Sequence, residues 1–193
     1  IPVTHYTERI DQAEVAQHRL REWMRWRTAV VRDADPNPEH LLVSHHHGGP
    51  YGVGYITDDW MVTDLLDVWG TSIYRRDLYE VSRKFDWTRS AAHGRPWWLS
   101  EVSGGRGMEG GAYFYLSDDV KSAAETRTYP LLAFSHGAEA TVYWQFRCES
   151  FGEESPNFGL TNQAGDPTER TEAASQLAGM LERHAEVFEA LRF

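Results

Sequence analysis

The stretch Pro96-Trp97-Trp98-Leu99-Ser100-Glu101-Val102-Ser103-Gly104-Gly105 runs from aromatic and aliphatic residues into a lone carboxylate and then a glycine pair. A short apolar run bounded by turn signals reads as a strand buried on both faces. A carboxylate closing such a strand sits at the rim of a sheet or barrel, where parallel α/β folds carry their chemistry. The plainer reading is a solvated strand-end residue in a salt bridge. Tyr74 and Arg75 could hydrogen-bond or orient Glu101, and a core tyrosine with a solvated arginine fits them equally. His45-His46-His47 invites a metal, since neutral imidazoles bind zinc and strand alternation sets His45 and His47 on one face. No cysteine or further histidine motif completes a ligand set by spacing, so the expectation is no metal and no cofactor. His45 and His47 are read instead as polar contacts to a substrate. Ser100 and Ser103 lack a Gly-x-Ser-x-Gly context, which argues against serine hydrolase chemistry.

Composition narrows the partners. The chain has 193 residues, 41% of them hydrophobic and 25% charged, as a soluble globular protein would. A net charge of −10 disfavours nucleic acid and anionic membrane surfaces as partners. One cysteine, Cys148, excludes an internal disulfide and is expected to pack beside a strand. No run approaches a membrane span and the first residues do not resemble a signal peptide, so a cytoplasmic location is expected. Aromatic residues make up 13% of the chain. Flat rings with a hydrogen-bonding edge suit the faces of sugars, although most of them will fill the core.

The elements that must position these groups alternate. Apolar residues at three- and four-residue spacing predict a helix over 8–33, ended by Asp35-Pro36. Leu41–His45 reads as a strand, and Asp58 or Asp59 can cap a short helix through Leu66. Asp67–Tyr74 is the next strand, followed by a helix over about 78–92. The Glu101 strand and a glycine loop at 104–111 come next. Ser117-Asp118-Asp119 can cap a helix over about 118–135, and Thr141–Arg147 is the fourth strand. A turn-rich loop occupies 152–168 and a final helix 169–191. Strands alternating with helices predict βα units on a parallel sheet, in one domain spanning 1–193.

Three blocks then occur in order: Asp67-Val68-Trp69-Gly70-Thr71-Ser72-Ile73-Tyr74, Trp97-Trp98-Leu99-Ser100-Glu101, and His136-Gly137-Ala138-Glu139-Ala140-Thr141-Val142-Tyr143-Trp144-Gln145-Phe146-Arg147. Together they resemble the second half of the catalytic barrel of glycoside hydrolase family 42, the β-galactosidases. The Arg27–Pro36 stretch, Phe158-Gly159-Leu160 and Gly165-Asp166-Pro167-Thr168 fit the same pattern. The resemblance implies an α/β fold, a parallel (βα)4 half of a TIM-type barrel, with the four strands as the fifth to eighth. It places the family's nucleophile at Glu101. The substrate-binding rim would then hold His45, His47, Tyr74, Arg75, Trp98, Gln145 and Arg147. Glu154 matches a glutamate that holds galactose hydroxyls, while Asn157 stands where the family has a histidine. The family's acid/base glutamate belongs to a fourth strand that this chain lacks. A tryptophan that follows the nucleophile is replaced by the glycine loop.

A closed (βα)8 barrel takes about 250 residues, and four strands leave two edges open. The expectation is a homodimer of half-barrels about a two-fold axis. The alternative is a fragment that needs a complementary chain. Retaining glycoside hydrolysis needs two carboxyl groups about 5–5.5 Å apart. The missing acid would then be Glu149 of the partner subunit, just past its last strand, with Glu153 and Glu154 as substitutes. The expected function is retaining hydrolysis of β-galactoside-type bonds, with a carbohydrate as substrate. The rival reading is a carbohydrate-binding half-barrel that kept the pocket and lost the acid.

Overall fold

The computed structural model describes residues 6–46, 58–106, 120–152 and 154–190. Its frame is one four-stranded sheet in sequence order, β1 (Val43–His46), β2 (Val68–Ile73), β3 (Trp97–Ser103) and β4 (Ala140–Trp144). Every neighbouring pair is parallel, which requires a crossover between consecutive strands. Helix α1 (Tyr6–Ala34) precedes β1, α2 (Leu78–Ala91) links β2 to β3, and α3 (Ala123–Ser135) links β3 to β4. Helices α4 (Glu169–Arg183) and α5 (Ala185–Ala190) close the described chain.

Several boundaries differ from expectation, each for a local reason. Asp58 does cap, but only the 3-10 turn Asp59–Met61; a second, Thr63–Leu65, follows from Val62 without a side-chain cap, in place of one helix. Helix α3 begins at Ala123, not near 118. Ser122 and Glu125 form a reciprocal capping box, the Glu125 N–H on the Ser122 hydroxyl at 3.2 Å and the Ser122 N–H on the Glu125 carboxylate at 2.9 Å. The final helix breaks at His184. After the break Phe188 meets the ring of Phe134 at 5.8 Å. Strand β4 ends at Trp144 instead of Arg147, because the chain beyond it pairs with its own following loop. The Gln145 N–H reaches the Phe158 carbonyl at 2.8 Å, and the Thr161 N–H reaches that of Phe146 at 2.9 Å.

This loop presses on the end of β3 with no room for side chains. A Cβ on Gly105 would stand 2.3 Å from the Gly159 carbonyl oxygen, and one on Gly159 would stand 2.4 Å from the Cys148 nitrogen. Glycine is what lets the two backbones approach. Cys148 is buried here, as expected, with its thiol on the Thr161 carbonyl at 3.2 Å.

The two faces of the sheet are unlike. On the helix-covered face Trp69, Ile73, Trp97, Leu99 and Val102 join Val81 and Phe85 of α2 and Tyr129 and Ala133 of α3 in one apolar cluster. Burying each large side chain there contributes about 1.5–3 kcal/mol. Tyr143 points to the same side and donates its hydroxyl to the Thr126 carbonyl at 2.7 Å, and burial pushes its phenol pKa up. The opposite face carries smaller or half-open residues, among them Gly70, Ser72, Trp98, Val142 and Trp144. Among the described residues β1 and β4 each pair on one side only.

Candidate active site

Strand β3 is irregular where it matters. Gly70 pairs with Trp98 and Ser72 with Glu101, so β2 advances two residues while β3 advances three. The same extra residue appears against β4, where Leu99 pairs with Thr141 and Val102 with Tyr143. A residue inserted into one strand of a ladder bends that strand and re-aims its side chains. Trp97 and Leu99 face the helices at the normal spacing of two, and Val102 returns to the same cluster at a spacing of three. Strict alternation would have sent Glu101 in among Phe85 and Tyr129. The bulge instead sets Ser100 and Glu101 together between two core residues, half-exposed on the open face. The Ser100 hydroxyl bonds back to the Thr71 carbonyl at 3.2 Å, which fixes the bulge to β2.

Glu101 therefore lies two residues inside the strand end rather than at it, and it is oriented from β2. The Tyr74 hydroxyl, one residue past that strand, donates to Glu101 Oε1. The Tyr74 ring is held in turn by an edge contact with Phe158, centroids 5.5 Å apart. Phe158 sits at φ 64 and is buried, an uncommon backbone for a bulky residue and one kept by its surroundings. Its N–H is bound by the Arg106 carbonyl at 2.7 Å. The second polar contact of the rim joins the Trp144 indole N–H to Glu154 Oε2 at 3.0 Å. The residues next to Trp144 and Phe158 each bury a polar atom without a hydrogen-bond partner, Gln145 Nε2 and Asn157 Oδ1.

The structure gathers some of the expected residues and disperses others. Tyr74, Trp144, Gln145 and Glu154 stand at the carboxyl-terminal rim of β2 and β4, with Glu101 two residues inside the end of β3. Trp98 lies deeper on the same face, opposite Gly70 and Ala140. Arg75 is exposed. Arg147 turns outward into the 162–165 turn, its guanidinium on the Gln163 carbonyl at 3.4 Å. Glu149 belongs to that outer loop too: its carbonyl accepts from the Gln163 amide at 3.4 Å, and its carboxylate lies beside Gly152. His45 pairs with Gly70 in the ladder, whereas His47 and Glu153 fall outside the described residues. Sequence reasoning missed Phe158 as the support for Tyr74, and it missed the bulge, for which only the three-residue step from Leu99 to Val102 gives a hint.

A family model described as beta-galactosidase, that of glycoside hydrolase family 42, matches residues 7–184. The chain belongs to this family. Its fold is also that of solved relatives. The β-galactosidase from the psychrophilic Marinomonas ef1 is 19% identical, with a TM-score of 0.73 over 91% of this chain and 29% of that one. The enzyme of the Antarctic haloarchaeon Halorubrum lacusprofundi is 21% identical, with a TM-score of 0.74 over 88% and 26%. That of Bacillus circulans sp. alkalophilus is 15% identical, with a TM-score of 0.74 over 89% and 24%. Among curated proteins nothing matches. The chain thus spans less than a third of the solved family 42 neighbours it resembles, and its sheet matches part of their TIM-type barrel. No described helix is long and apolar enough to cross a membrane.

Proposed function

We propose that this chain carries the nucleophile half of a retaining β-galactosidase site. The observation that carries this reading is the placement of Glu101: a bulge turns it onto the open face, and the Tyr74 hydroxyl holds one of its oxygens. Glu101 attacks the anomeric carbon and forms a glycosyl–enzyme ester, while an acid protonates the departing oxygen. The same group, now a base, activates the water that releases the sugar. The Tyr74 hydrogen bond fixes the direction of the carboxylate that attacks. Glu154, tied to Trp144, suits a contact to sugar hydroxyls at the rim. Trp98 lies on the same face, Gln145 follows the end of β4, and His45 belongs to β1.

The acid comes from strands beyond this sheet. Two sheet edges left unpaired among the described residues and a half-exposed inner face support completion by a second copy, with Glu149 of the partner subunit as donor and Glu153 or Glu154 as its substitutes. Hydrolysis of a chromogenic β-galactoside tests both halves of the reading. Glu101→Ala and Glu149→Gln should each abolish turnover. Mixing the two variants should restore roughly a quarter of it, because half the dimers carry one intact composite site. Turnover that survives Glu101→Ala removes the nucleophile, and a mixture that stays inactive removes the composite site.

A further inference from the structure

The chain has only two lysines, Lys84 and Lys121, against seventeen arginines. Lys121 is buried over the ring of Tyr129 at 4.8 Å. Lys84 lies on α2, one residue before the fully buried Phe85. Its ammonium crosses to the sheet and donates to the Ser72 carbonyl at 2.7 Å. Ser72 is the residue that pairs with Glu101 across the bulge, and two residues further on stands Tyr74, whose hydroxyl holds the Glu101 carboxylate. One cation thus grips the strand that supplies both neighbours of the proposed nucleophile.

The charged groups facing it come from three other segments. Asp59, in the first 3-10 turn, is buried and takes the Trp87 indole N–H at 3.2 Å. Arg75 follows β2, and Glu101 is on β3. Burial is the largest influence on Lys84 and pushes its pKa down to about 8; Asp59 and Glu101 oppose that fall, whereas Arg75 adds to it. The Glu101 carboxylate is thus one of the charges that favour the Lys84 ammonium.

We propose that Lys84 is a positioning residue for the chemistry assigned to Glu101: its ammonium on the Ser72 carbonyl holds the strand that pairs with Glu101 and delivers Tyr74 to it. This rests on the hydrolase reading above, but its physical core, the Lys84–Glu101 coupling, can be measured without substrate. Losing the Lys84 proton on the alkaline side removes the charge behind its grip on Ser72, so the rate should fall there.

The test uses the whole chain with its lysines labelled by 13C at Cε, which gives two signals that Lys84→Met assigns. Lys84 should titrate near pH 8, and Glu101→Gln, isosteric but uncharged, should move its midpoint to lower pH. An unmoved midpoint overturns the proposal whatever the activity. In turnover, kcat should drop tenfold or more in Lys84→Met with KM little changed. Lys84→Arg should keep activity and carry the alkaline fall to higher pH, since a guanidinium does not lose its proton there. A Lys84→Met variant with the wild-type rate and pH profile also overturns it. A shifted midpoint in a chain that hydrolyses nothing supports the coupling and strikes only the hydrolase reading.

Discussion

The two faces of one sheet follow different rules here. Behind it, Trp97, Leu99 and Val102 meet Phe85 and Tyr129 in a closed apolar layer; in front, beside the small buried Gly70 and Ser72, two tryptophans and one carboxylate stand half-open. The back is what makes the domain stable, and it tolerates neither charge nor gaps. The front adds little to stability, so it is free to hold a group that needs water, a substrate or a second acid. Between them stands the one-residue insertion in β3. It lets a single strand serve both faces, with its aromatic and aliphatic residues at the back and Glu101 at the front. Stability and chemistry are thus separated by a change of register within seven residues.

This contrast can be broken, most violently at the insertion. Deleting Ser100 should restore plain alternation and drive Glu101 into the helix-covered layer. An unpaired carboxylate there costs several kcal/mol, much of the stability of a domain this size. Urea titration should find the variant largely unfolded; a folded variant would show that the bulge does not decide which face Glu101 takes. Next in size is Phe85→Ala at the back, which should cost about 3–5 kcal/mol by the same titration. Tyr74→Phe, at the front, should cost only about 1–2 kcal/mol while lowering turnover about tenfold or more, since each 1.4 kcal/mol lost from transition-state stabilisation is a factor of ten. The smallest effect is expected from Val142→Thr on the open face of β4, within about 0.5 kcal/mol of wild type. A large loss at Val142 would mean that the front is packed as the back is.

Much of this organisation was legible in the chain. Apolar runs such as Val68–Ile73 and Trp97–Leu99, separated by helical periodicity, are enough to give four parallel strands in order, and the family resemblance is met by the comparisons. Local competition hid other features. Ser117, Asp118, Asp119 and Ser122 could all open α3, and the Ser122-x-x-Glu125 box is the stronger pattern because it satisfies two backbone donors at once. The break at His184 has no glycine or proline to announce it. Leu99 and Val102 look equally apolar, and nothing in their types says that an extra residue between them changes the face of Glu101. The Trp144–Glu154 contact depends on how a loop folds back, which spacing does not encode.

The most direct measurement is a covalent trap. A 2-deoxy-2-fluoro-galactoside with a good leaving group slows release of the sugar more than its capture, so a glycosyl–enzyme ester accumulates when a carboxylate attacks. Peptide mapping of the labelled chain should find the sugar on Glu101 and on no other carboxylate, and Glu101→Gln should take up none. Label on a different residue, or no label under conditions where the chain hydrolyses β-galactosides, would contradict the account.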